Sequence, residues 1–208
     1  MPAHKQTDFL DNAYRISTTD DARQFYDDWA QTYDDEISAN GYITPVRCAH
    51  ALAAHAGDPS APILDIGCGT GISGLALRDV GFSLIDGSDL SQAMLDKAAS
   101  KGIYRELWQA DLQSPFPFSA GTYQHLAAIG VIATGHMPAE TIARLADLLS
   151  TGGLLVFSLN DHTLEDPRFE ATLNQLVDQG IVAIKHEDYG EHLPGIGLKS
   201  KVFVVIRI

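Results

Sequence analysis

The sequence predicts a doubly wound α/β fold: a seven-stranded, mostly parallel sheet with a C-terminal antiparallel hairpin and an N-terminal helical lid. Three observations lead there. Between residues 62 and 159 short apolar runs alternate with helical stretches, the rhythm of parallel strands joined by right-handed crossovers. The first run opens into Gly67-Cys68-Gly69-Thr70-Gly71, a glycine cluster at a strand-to-helix junction. The last two apolar runs, 181–187 and 201–208, have no helix between them, so they must pair as a hairpin.

Residues 20–56 read as helices. Phe25, Trp29 and Tyr33 recur at i, i+4 and i+8, which puts three aromatics on one helical face. Asn40-Gly41 is a turn signal, and Thr44-Pro45 reads as an N-cap followed by proline at the first helical position. That helix is expected to reach about Ala56, with 57–60 as a linker. Residues 1–58 are therefore assigned to the lid and 59–208 to the core of a single domain. In the core, strands are expected over 62–66, 82–87, 104–109, 123–129 and 154–159. Helices are expected over 72–80, 91–101, 140–149 and 167–179. A sheet of this kind binds ligands beyond the carboxyl ends of its strands, where the strand order reverses.

Composition narrows the class. The 208 residues suit one domain, and 45% hydrophobic with 20% charged residues is an ordinary globular balance. The net charge of -13 repels phosphate backbones and anionic lipid, so neither nucleic acid nor a membrane is expected as a partner. Cys48 and Cys68 show no metal or disulfide spacing, and no metal site is expected. The polar N-terminus has no secretory pattern, and no apolar run approaches the roughly 20 residues of a membrane span. A cytoplasmic protein is expected.

The glycine cluster has two readings. Gly69-Thr-Gly71-Ile-Ser-Gly74 satisfies the dinucleotide pattern G-x-G-x-x-G. Three features count against that reading. Asp65 precedes the first glycine by two residues, and a carboxylate there disfavours a pyrophosphate at the adjacent helix N-terminus. The same carboxylate suits the cationic methionine end of S-adenosylmethionine, directly or through water. The chain also lacks a second α/β domain, and its terminal hairpin is foreign to the dinucleotide fold.

ILDIGCGTG resembles the first S-adenosylmethionine-binding motif of the class I methyltransferases, whose sheet is Rossmann-like. GSDLSQAMLDKA resembles the second segment of that family and QADL the third, and the ordered resemblance runs from about Tyr26 to Gly153. YDDWAQTYDDEISANGYITP and KGIYRELWQADL look closest to the Williams-Beuren-region 27-like methyltransferases.

The resemblance and the chemistry together nominate a cofactor site. Asp89 stands about 20 residues past the glycine loop, where a carboxylate accepts from both ribose hydroxyls; its ordinary alternative is a helix N-cap. The resemblance implies that Asp111 accepts from the adenine amino group while the Leu112 amide faces the ring. Leu90 and Met94 are expected to cover the adenine faces, with core packing as their alternative. Gly67, Cys68 and Gly69 bring backbone close to the ligand. Ile129 and the two residues after it are implied to offer carbonyls to the methionine ammonium. Relatives carry a polar or acidic residue in that strand, where this chain has Gln124 and His125. Tyr33 resembles a tyrosine that closes over the cofactor, and its ring suits a sulfonium. His136, in ATGHMP, is the candidate catalytic base, with helix capping as its alternative. Asn160 and His162 are placed at an acceptor pocket by position alone.

The expected function is methyl transfer from S-adenosylmethionine to an O, N or S nucleophile, on a small molecule, with a protein substrate as a further candidate. A non-catalytic S-adenosylmethionine-binding regulator uses the same cofactor residues. A nicotinamide-dependent reductase is the weaker alternative.

Overall fold

The computed structural model describes residues 19–111, 118–133 and 136–208. Three helices come first: α1 (Thr19–Trp29), α2 (Tyr33–Ala39) and α3 (Thr44–Ala53). Then follow β1 (Ile63–Ile66), α4 (Ile72–Asp79), β2 (Ile85–Asp89), α5 (Gln92–Ser100) and β3 (Leu107–Gln109). The second half holds β4 (His125–Ala128), α6 (Glu140–Leu148), β5 (Leu154–Asn160), α7 (Asp161–Leu164), α8 (Arg168–Asp178), β6 (Val182–Leu193) and β7 (Leu198–Arg207). The seven strands lie in the order β3-β2-β1-β4-β5-β7-β6. β7 runs antiparallel to both neighbours and the remaining pairs are parallel, so the expected fold class and its closing hairpin are present. The order reverses between β1 and β4, which opens the crevice that positions the site.

Alternate residues of β5 serve the two faces of the sheet, as a period of two requires. Leu155, Phe157 and Leu159 pack with Ile142 and Leu145 of α6 and Phe169 and Leu173 of α8. Leu154 and Val156 pack with Cys48 and Leu52 of α3 and Leu77 of α4. A third cluster joins Trp29 and Ile37 of the first two helices to Leu193 and Leu198 of the hairpin, with Ile72 against it.

Four expectations need correction. The lid is narrower than residues 1–58, because α3 belongs to the sheet's core: Cys48, Ala49 and Leu52 are fully buried. The helix carrying Phe25 and Trp29 stops at Trp29, so Tyr33 opens a new helix; its ring still meets Trp29 edge-on at 4.6 Å. Thr44 is not the cap of α3, since Ile43 holds that position. The buried Thr44 hydroxyl instead bonds His192 Nδ1 at 2.8 Å and Ser200 Oγ at 3.0 Å, tying α3 to the hairpin. Finally, the hairpin strands extend to Leu193 and from Leu198, well beyond the expected ends. β6 is an edge strand whose middle is solvated, and it therefore lacks the apolar alternation that signals a strand.

Gly74 explains the fortuitous dinucleotide pattern. A Cβ on this α4 residue would lie 2.3 Å from the Tyr104 hydroxyl, and one on Gly87 of β2 would lie 2.9 Å from the Tyr104 ring. Both glycines clear the path by which Tyr104 reaches β1. Gly74→Ala should therefore destabilise the protein by about 1–3 kcal/mol in urea unfolding, the usual range for overpacking. Unchanged or raised stability would show that Tyr104 does not need that space.

Candidate functional site

A cavity lies where β1, β2 and β4 end, with its floor at Gly67–Thr70 and with Ala22, Tyr26 and Tyr33 of α1 and α2 among its walls. The floor is shaped by backbone that L side chains rarely adopt: φ is +66° at Gly67, +53° at Gly69 and +92° at Gly71. Gly67 is doubly constrained, since a Cβ there would lie 2.4 Å from Val131. The turn is held by β2. The Gly67 and Cys68 amides donate to the Ser88 carbonyl at 2.8 and 3.0 Å, and the Gly69 amide donates to Asp89 Oδ2 at 2.8 Å.

Ten of the candidates meet in this cavity: Tyr33, Gly67, Cys68, Gly69, Asp89, Leu90, Met94, Asp111, Ile129 and His136 line it. Leu112 lies outside the described residues. Asp89 is not a helix cap; Ser91 caps α5 by accepting from the Met94 amide at 3.1 Å. Burial raises the Asp89 carboxyl above its ordinary value, against the lowering effect of the Ser91 and Gly69 amides. Burial also holds the Cys68 thiol protonated, which leaves that residue a backbone role. The Gly130 amide donates to Ser158 Oγ at 2.9 Å, fixing the backbone that follows β4.

Asp65 does not line the cavity. It is fully buried behind it, and its Oδ2 accepts from Ser73 Oγ at 2.6 Å and from the Tyr104 hydroxyl at 2.7 Å. Of the two routes expected for Asp65, direct or through water, direct contact is corrected by this burial; its bond runs to Ser73, which does line the cavity. Among the described residues, its Oδ1 is buried without a hydrogen-bond partner. Asp86 is a structural residue: it accepts from Arg105 at 2.6 and 2.9 Å and from the Tyr123 hydroxyl at 2.9 Å. His125 sits at the start of β4, buried against Phe82 and away from the cavity, and burial lowers its pKa. Asn160 caps α7 and His162 is half-exposed beside Glu165, so neither reaches the cavity.

Sequence reasoning expected a helical lid here but missed the polar side chain that α1 contributes to it. Tyr26 lines the cavity and its hydroxyl lies 2.8 Å from His136 Nε2. It also missed how these helices are fastened. Asp27 accepts from the Ser91 hydroxyl at the start of α5, and Asp34 accepts from the Thr70 hydroxyl and from Lys101. A signal was present: Tyr-Asp-Asp occurs at 26–28 and again at 33–35, each time putting a tyrosine in the cavity and an aspartate on the core.

The described lining residues include two carboxylates, Asp89 and Asp111, and no lysine or arginine. Such a site suits a cationic or neutral ligand with hydroxyls to donate, and it supplies no cation to a pyrophosphate. Among the described residues, no cluster of His, Cys, Asp and Glu could hold a metal ion, and no helix is long and apolar enough to cross a membrane.

The model of the methyltransferase-domain family matches residues 42–194. Methyltransferase-like protein 27 of Homo sapiens is 35% identical over 163 residues, covering 76% of this chain and 66% of that protein. A probable 18S rRNA (guanine-N(7))-methyltransferase of Dictyostelium discoideum is 34% identical over 114 residues, 52% of this chain and 38% of the relative. The chain thus spans less than two thirds of either relative's length. Magnesium protoporphyrin IX methyltransferase from Synechocystis PCC 6803, solved with bound SAH, shares the fold with a TM-score of 0.69 at 19% identity. It covers 91% of this chain and 99% of its own. One expectation falls here. Exclusion of nucleic acid by net charge is overturned by the 18S rRNA methyltransferases among the relatives, of which there are several. A total charge averages over the whole surface and does not describe the local patch that meets a partner.

Burial raises the Asp65 carboxyl from 3.8 to about 6, outweighing the hydrogen bonds from Ser73 and Tyr104. A raised carboxyl favours the protonated folded form, so its contribution is complete below pH 3.8 and is lost as pH rises through about 6. In urea unfolding, the stability of the wild type relative to Asp65→Asn should fall across that window by roughly 3 kcal/mol. A difference that stays flat with pH would contradict the buried, ionisable state of Asp65.

Proposed function

Since the chain belongs to the methyltransferase-domain family, we propose that it is a cytoplasmic methyltransferase that moves a methyl group from S-adenosylmethionine to an O, N or S nucleophile on a small molecule. The observation that carries this reading is the Gly69 amide on Asp89: one hydrogen bond holds the glycine turn and the carboxylate assigned to the ribose in a single cavity. The residues present fit the cofactor. Each Asp89 oxygen accepts one backbone amide, which leaves lone pairs for the two ribose hydroxyls. Asp111 would take the adenine amino group, and Leu90 and Met94 would cover the ring. Gly67 and Gly69, both at positive φ, bring no side chain of their own between the backbone and the methionine end. The Ile129 carbonyl would take the ammonium, and the Tyr33 ring would offer a cation–π contact to the sulfonium.

S-adenosylmethionine supplies a methyl group already activated on a sulfonium, so the protein's task is orientation and exclusion of water. Both follow from the fastening of α1 and α2. The Asp27 and Asp34 contacts tie the helices that carry Tyr26 and Tyr33 to the core, and opening of these helices for ligand exchange would break them. A cavity walled by two helices and by the turn around His136 supports a compact acceptor.

Titration with S-adenosylhomocysteine should separate the two β2 aspartates. Asp89→Ala should weaken binding at least tenfold, about 1.4 kcal/mol. Asp86→Ala should lower the melting temperature and leave affinity within about twofold. The reverse order would move the ribose site off Asp89. With tritiated S-adenosylmethionine, label should pass to small acceptors of a cell extract; label recovered in 18S rRNA instead would overturn the small-molecule reading.

A further inference from the structure

Tyr26 and His136 are 110 residues apart in sequence, yet their polar atoms meet on the cavity wall. Tyr26 Oη lies 2.8 Å from His136 Nε2, and the rings approach edge-on with centroids 5.6 Å apart. Both partners are held from behind. The Tyr26 ring stacks on Trp29 at 6.0 Å and meets Phe25 edge-on at 5.4 Å. The His136 amide donates to the Ala133 carbonyl at 3.0 Å, and Ile132 bridges to the next residue, Met137. Neither residue is needed by the cofactor assignments above. Beside them the wall is formed by Ala22, Met137, Pro138 and Thr141.

We infer that Tyr26 and His136 form a proton-accepting pair, and that the acceptor is a neutral, largely apolar molecule whose nucleophile is a hydroxyl or an uncharged amine. The inference rests on the methyltransferase reading and deepens it. An anionic acceptor would need a cationic partner, and the described lining residues include none. A carboxylate nucleophile carries no proton and would leave the pair without a task. A hydroxyl must shed one as its bond to carbon forms, an uncharged amine sheds one from the ammonium it becomes, and a phenol backed by an imidazole can take either. In that step the acceptor's O or N forms a bond to the methyl carbon, and the carbon–sulfur bond breaks with its electron pair left on sulfur. The acceptor's proton passes to Tyr26 Oη, and the tyrosine's own proton passes to His136 Nε2. The positive charge lost at sulfur is regained as imidazolium, which returns its proton to water. Tyr26 is then the catalytic residue, and His136 acts through it.

Two measurements on the intact protein test this. Nitrogen NMR of the histidine side chains, with His136→Gln for assignment, should show neutral His136 with Nε2 unprotonated in a hydrogen bond that Tyr26→Phe abolishes. A protonated Nε2 in the neutral ring, or a signal unmoved by Tyr26→Phe, would overturn the pair. Transfer from tritiated S-adenosylmethionine should then be followed with a panel of neutral apolar phenols, alcohols and amines beside their carboxylate counterparts. Label should enter the neutral compounds, and Tyr26→Phe and His136→Gln should each lower kcat by about 10²-fold or more. KM and S-adenosylhomocysteine affinity should stay within about twofold. Label in the carboxylates, variants that keep kcat, or no label in any neutral compound while S-adenosylhomocysteine binds would overturn the inference. Loss of S-adenosylhomocysteine binding by the wild type would instead overturn the methyltransferase reading beneath it.

Discussion

The chain must leave β1 through three glycines at positive φ within five residues, and none of the three has a side chain with which to hold the turn. Its backbone amides point at β2, where the Ser88 carbonyl takes two and the Asp89 carboxylate a third. The rest of the site is arranged about this bond set. Asp89 closes the turn and also lines the cavity, so the group that shapes the floor is one of its wall residues. Thr70, inside the turn, carries the attachment of α2 through Asp34. Behind the turn, Ser73 and Tyr104 converge on Asp65, and Gly74 and Gly87 exist to let the tyrosine pass.

This arrangement concentrates negative charge. Asp65 and Asp89 are both pushed upward by burial, and the field of Asp89 adds to the shift of Asp65. Carboxylates held this way favour a cation nearby, since an opposite charge in a low-dielectric site relieves both desolvation and mutual repulsion. The sulfonium and ammonium of S-adenosylmethionine meet that need, and a pyrophosphate would aggravate it. The electrostatics of the cavity thus separate two cofactors that the glycine spacing alone leaves together.

Most of the fold was legible because hydrophobic period and glycine placement are local signals. The turn at Gly67–Gly71, the Ser91 cap of α5 and the closing hairpin are all written in neighbouring residues. What failed was non-local. β1 is buried on both faces, so alternation cannot tell which of its side chains reaches the cavity, and Asp65 was put one layer too far forward. The pairing of Tyr26 with His136 depends on how α1 lands on the core, which no window of sequence contains. α3 reads as an ordinary amphipathic helix whether it covers a cavity or a sheet. The polar half of β6 is a strand only because β7 lies beside it. The acidity of the chain says nothing of where its charges face, and relatives that act on rRNA show how little a total charge excludes.

The central claim is that the glycine turn and its carboxylates form a site for S-adenosylmethionine. Calorimetric titration of the wild-type protein with S-adenosylmethionine, S-adenosylhomocysteine and NAD in parallel tests it most directly. Micromolar binding of the first two at one site per chain is expected, with no heat from NAD. Binding of NAD without the other two would contradict it, because the described cavity holds two carboxylates and no cation with which to receive a pyrophosphate.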